Sequence, residues 1–170
     1  KLENIRPYED IALLFPTVPG AIFGDPVDDI LHKVIVSPKQ SFLLSLPSNP
    51  LKSARKFEQG KLSITPKSTK VIRLGTFHIY PDYELWGGGG FKQKSSGDSI
   101  LLVYFSNEAT LSGQAIMSRE VFDFNFQIPK RGWYWLRFVE ISNDYFSLVQ
   151  YDGSESDIEF AVFHEDLTSL

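Results

Sequence analysis

The chain has no cysteine. That excludes disulfides, thiolate metal sites and cysteine nucleophiles. It leaves the redox compartment open, because secreted and periplasmic domains of this size fold without disulfides; a periplasmic or secreted location is preferred to a cytoplasmic one. Long apolar runs are also missing. Ile100 to Phe105 is one of the longest, far short of the roughly 20 residues a membrane-spanning helix needs, so no transmembrane segment is expected. The opening Lys1-Leu2-Glu3-Asn4 does not read as a signal peptide. No Asn-X-Ser/Thr acceptor occurs. A basic surplus is lacking as well: 17 Lys and Arg stand against 21 Asp and Glu, a net charge of −4, which argues against a nucleic-acid partner.

Catalytic signatures are equally scarce. No serine sits in a Gly-x-Ser-x-Gly elbow, and the three histidines, His32, His78 and His164, are scattered. There is no His-x-His or His-x-x-x-His pair for a metal. Asp25 and Asp28 are explained by helix capping. Asp152-Gly153-Ser154-Glu155-Ser156-Asp157 lacks the ligand ladder of a calcium loop and reads as a hairpin turn. Glu84 and Glu140 are the conceivable carboxyl pair of a glycosidase, which requires two carboxyls across a cleft, but nothing in the sequence relates them. Gly87 to Gly90 lack the strand-before, helix-after context and the Lys-Ser/Thr ending of a phosphate loop. No metal, cofactor or catalytic residue is therefore expected.

What is present is aromatic and alternating. Aromatics make up 14% of the 170 residues, with 14 Phe. The period is two over Val121 to Ile128, where Phe122, Phe124, Phe126 and Ile128 face one way and Asp123, Asn125 and Gln127 the other. Val34 to Val36, Ser41 to Leu46, Lys61 to Thr65, Val71 to Tyr80 and Ile100 to Phe105 also read as strands. A C-terminal meander is expected over Trp133 to Ile141, Tyr145 to Tyr151 and Ile158 to Phe163, with turns at Ser142-Asn143-Asp144 and Asp152 to Ser156. Residues 1–33 differ. Pro7 predicts a short helix through Phe15, and Asp25-Pro26-Val27-Asp28 starts a second through Lys33. The expectation is all-β: an antiparallel, jelly-roll-like β-sandwich over 34–170, with a short, partly helical N-terminal extension over 1–33.

The densest stretch is Gly132-Trp133-Tyr134-Trp135-Leu136-Arg137-Phe138. On a strand, Trp133, Trp135 and Arg137 share one face, and Tyr134, Leu136 and Phe138 share the other. The bland reading makes both tryptophans core residues of a central strand, because large aromatics are usually well buried. The functional reading makes them a stacking platform for sugar rings. Trp86 beside the glycine tract, with Lys92 and Lys94 after it, would form a loop closing over a ligand; the bland alternative is a flexible hairpin tip. The candidate binding residues are thus Trp86, Lys92, Lys94, Trp133, Trp135 and Arg137.

Charge is divided along the chain. Lys52, Arg55, Lys56, Lys61, Lys67, Lys70 and Arg73 cluster against Glu58 alone, while after Arg137 there is no Lys or Arg. Either the two regions lie together and compensate, or the acidic C-terminal region recruits a basic partner. The function expected is a non-catalytic binding domain that recognises a protein partner through its surface loops or this acidic region. A carbohydrate-binding jelly-roll module, or a diverged carbohydrate-active enzyme, is the alternative.

Overall fold

The structure is a computed structural model that describes residues 11–23, 27–36, 46–59, 61–75, 77–81, 87–117 and 119–164. Thirteen strands of the described residues join one sheet. They are β1 (Ile11–Pro19), β2 (Val27–Val36), β3 (Arg55–Lys56), β4 (Ser63–Thr65), β5 (Lys70–Leu74), β6 (Phe77–Pro81), β7 (Gly87–Gln93), β8 (Ser99–Phe105), β9 (Ala109–Met117), β10 (Glu120–Ile128), β11 (Gly132–Ser142), β12 (Tyr145–Gln150) and β13 (Ile158–His164). A 3-10 turn, Glu155–Asp157, precedes β13. Among the described residues no helix is long and apolar enough to cross a membrane.

The sheet runs β13-β7-β6-β1-β5-β8-β11-β12-β10-β9-β4, with β2 beside β1 and β3 beside β5. It is all-β, curled and mixed. β10 runs parallel to β12, from Val121 opposite Tyr145 to Phe124 opposite Leu148; the other pairings are antiparallel. The curl brings β7 against β8 as well as β6, with Phe91 opposite Ile100. In place of the two antiparallel sheets of a sandwich, pairing is continuous from β13 to β4. The expected meander is also rearranged: β12 follows β11 as a hairpin, but β13 leaves it and pairs with β7.

The expected helical turns are strands wherever the structure describes them. Ile11 to Phe15 lie in β1 and Val27 to Lys33 in β2, paired with Leu14 opposite Lys33 and Ile11 opposite Val36. β1 also pairs with β5 and β6 on its other edge. Ladder hydrogen bonds on both edges of β1 outweigh local capping signals, which are worth only about 1 kcal/mol. Residues 1–10, Asp25 and Pro26 lie outside the described residues, as do 41–45 of the expected strand at Ser41 to Leu46. The glycine tract is a further correction: Gly87 to Gly90 form the first half of β7, paired with β6 and with β13. Glycine costs roughly 0.5–1 kcal/mol per residue in a strand, and pairing on both edges offsets it.

The side chains follow the strand period. Phe122, Phe124, Phe126 and Ile128 of β10 are buried against Val103 and Phe105 of β8, Leu136 of β11 and Leu148 of β12. Asp123 and Gln127 face the other, wet side. β9 had no strand signal strong enough to be read, yet it alternates in the same way and pairs with β10 over its whole length. At its centre Gly113 has φ +115, and a Cβ there would sit 2.8 Å from the Lys61 carbonyl oxygen. The glycine therefore permits both the turn of the backbone and the approach of the chain leading into β4.

Candidate functional site

β11 is central, between β8 and β12, and its two faces have different fates. Tyr134, Leu136 and Phe138 join the main core. Trp133, Trp135 and Arg137 project from the opposite face and are half-buried there. Trp133 stacks edge-on against buried Tyr104 at 5.5 Å, in a small cluster with Ala54 and Ile72, and its indole N–H donates to the Pro47 carbonyl at 2.8 Å. Trp135 meets Phe91 edge-on at 5.0 Å, Phe91 meets Phe160 at 5.5 Å, and the Trp135 indole N–H reaches Glu155 at 3.5 Å.

Arg137, two residues further, lies opposite Ile100 at the start of β8. Its Nη1 donates to Gln93 Oε1 at 2.8 Å and lies 3.8 Å from Asp98. Gln93 is the hub of this corner. Its Nε2 donates to Asp157 at 2.7 Å and to Ser95 Oγ at 2.8 Å. Asp157 also accepts from the Ser95 hydroxyl at 2.7 Å and from the Ser95 N–H at 3.1 Å. These bonds, Ser95 first and Gln93 next, hold the Asp157 carboxyl below the usual carboxylate range. Burial raises the Tyr104 hydroxyl above its ordinary value. Lys94 Nζ donates to the Ser156 carbonyl, and Lys92 pairs with Glu159 across β13 at 3.1 Å.

The structure thus brings Lys94, Trp135 and Arg137 to one corner, where the β7–β8 turn meets the 3-10 turn. Lys92 lies on the adjoining strand pair, and Trp133 belongs to a separate cluster. Trp86 and Glu84 lie outside the described residues. Most polar groups at this corner are satisfied by one another, the buried Arg137 Nε being an exception, and the bonds between Gln93, Ser95 and Asp157 clamp the two turns together.

The residues that sequence reading passed over lie elsewhere. Ile116 is 71% exposed, Ile141 60% and Met117 39%. Val121 is opposite Ile116 on β9 and opposite Tyr145 on β12, and Tyr145 is opposite Ser142 on β11. Ile116 and Ile141 are therefore three strand spacings apart, about 14 Å, at one end of the sheet. Glu120, Glu140 and Asp144 lie at the same end of the sheet, but Glu120 and Glu140 continue the core-facing series of β10 and β11, whereas Ile116 continues the outward series of β9. A signal did exist: Thr110, Ser112 and Gln114 are the outward residues of β9, and Ile116 breaks that polar series.

Compared with protein-family models, curated proteins and solved structures, the chain matches none.

Proposed function

We propose that this chain is a non-catalytic protein-interaction domain, and that it docks its partner on the end of the sheet where β9 and β11 finish and β10 and β12 begin. The carrying observation is the exposure of Ile116 and Ile141 at an end of the sheet that also carries Glu120, Glu140 and Asp144. Isoleucine gains roughly 1.5–3 kcal/mol when its side chain is fully removed from water. Exposed apolar side chains with polar ones nearby are the usual build of a protein-binding patch. The acids at this end favour a basic partner and speed its approach.

The carbohydrate alternative has less support. A sugar platform requires an open indole face with free polar neighbours. Here the indole N–H groups of Trp133 and Trp135 have acceptors within the chain, and each of these two has another aromatic ring against it.

The test is capture from the native host at low salt by the immobilised chain and by an Ile116→Ser/Ile141→Ser variant whose circular dichroism matches the original. Capture by the original and at least a tenfold loss in the variant are expected. Equal capture by both removes this surface from consideration.

A further inference from the structure

The strand registers give the molecule two ends of opposite charge. Phe105 of β8 lies opposite Gly132 of β11 at one end, and Ile100 opposite Arg137 toward the other. At the first end the Lys70 carbonyl accepts from the Ser106 N–H and the Lys70 N–H donates to Ser106 Oγ, Lys56 lies opposite Lys70, and Arg55 donates to the Lys52 carbonyl. Arg131 immediately precedes Gly132. Lys67 follows β4, whose Thr65 is opposite Thr110 near the start of β9, at this same end. Lys52, Arg55, Lys56, Lys67, Lys70 and Arg131 are all exposed, with Glu58, Glu108 and Asp152 as opposing acids among the described residues. At the second end lie Glu120, Glu140 and Asp144, on the end that also exposes Ile116 and Ile141, with Arg119 beside Glu120 in the β9–β10 turn.

The two ends do not neutralise each other. The ion pairs among these described residues are local, Lys92 with Glu159 and Arg137 with Asp98. β11 alone spans eleven residues, about 35 Å at strand rise, several times the roughly 8 Å screening length at physiological salt. Among the described residues each end therefore carries a surplus of one sign, available to something outside the chain.

We infer that the something is a second copy: the basic end of one molecule docks on the acidic, isoleucine-bearing end of the next. One chain carries both halves of the complement. The basic end also exposes Pro47, Pro66 and Pro129, apolar surface for Ile116 and Ile141 to cover. The contact joins two different surfaces, so it is heterologous and propagates head to tail. This inference rests on the docking surface proposed above and names its occupant.

Sedimentation of the purified chain tests it. In about 20 mM salt the weight-average mass should rise with concentration, and in about 500 mM salt it should stay that of a monomer. Lys67→Glu/Lys70→Glu/Arg131→Glu should remain monomeric at low salt, and so should Glu120→Lys/Glu140→Lys. Mixed together, these two variants should regain association at low salt, because each contact then joins an acidic end to a basic one. A wild-type chain that is monomeric at every concentration and salt overturns the inference, as does either variant self-associating like wild type. A monomeric chain that still captures a host protein through Ile116 and Ile141 overturns the head-to-tail contact and leaves the docking surface standing.

Discussion

Single side chains settle where unstructured segments attach. Gln59 is the clearest case. Its Oε1 accepts from the N–H of Ile22 at 2.8 Å and of Phe23 at 3.1 Å, and its Nε2 donates to the Phe23 carbonyl at 3.1 Å. It thus acts as a short piece of strand partner for two residues that belong to no strand. The segment it holds delivers Ile22, fully buried, and Phe23, whose ring meets Phe122 at 4.8 Å and stacks on Phe138 at 5.8 Å. Gln59→Ala leaves three backbone groups without that partner, each in a partly buried setting, and is expected to cost about 1–3 kcal/mol. Urea unfolding monitored by tryptophan fluorescence would show it as a lower midpoint with little change in slope. Neither Gln59 nor its targets carries a sequence signature, because the partners are 36 and 37 residues apart.

At the scale of elements, the corner built by the β7–β8 turn and the 3-10 turn has a pH signature. Asp157 holds these two turns together, and its carboxyl in the folded chain ionises below its ordinary value of 3.8. The unfolded chain therefore binds the proton first as pH falls, and the clamp's contribution is complete above that ordinary value. It is lost as pH drops through the lower folded value. Asp157→Asn is expected to melt below wild type at about pH 6, with the gap narrowing as pH falls below the ordinary value of 3.8; scanning calorimetry over a series of acidic pH values measures it. A gap constant with pH would show that the carboxylate charge is not what joins the turns. The elements themselves were unevenly legible. β8, β10, β11 and β12 follow from hydrophobic period alone, since each alternates or is continuously apolar. β1, β2 and β7 do not. Their local residues signal helix caps or a flexible loop, and only neighbours far along the chain make strands of them.

At the scale of the whole molecule, segregated charge carries its own consequence. Lys56 faces Lys70 across β3 and β5, a like-charge pair that destabilises a strand pairing. Glu120, Glu140 and Asp144 likewise share the other end. Repulsion within each end is screened by salt, so the dilute, monomeric chain is expected to melt higher in about 300 mM than in about 20 mM sodium chloride. Lys56→Glu should shrink that difference. A melting temperature that falls with added salt would mean that attraction between unlike charges dominates. The candidate residues Trp133, Trp135 and Arg137 shared a face in the sequence and share it in the fold, because strand alternation is a local property. Their surroundings were not legible: Phe91, Gln93 and Asp157 reach them only through the curl of the sheet and the return of β13.

The sequence by itself determined that the chain is β-rich, that β10 has one wet face, and that Trp133, Trp135 and Arg137 point together. These follow from the period of side chains along an extended backbone, which needs no knowledge of what lies alongside. The tertiary structure alone decided that one mixed, curled sheet takes the place of a sandwich, that a run of glycines is a strand, and that Lys56 and Lys70 lie at one end of the sheet and Glu120, Glu140 and Asp144 at the other. Those depend on which strand lies beside which, and long-range pairing is set by the sum of many contacts distant in sequence.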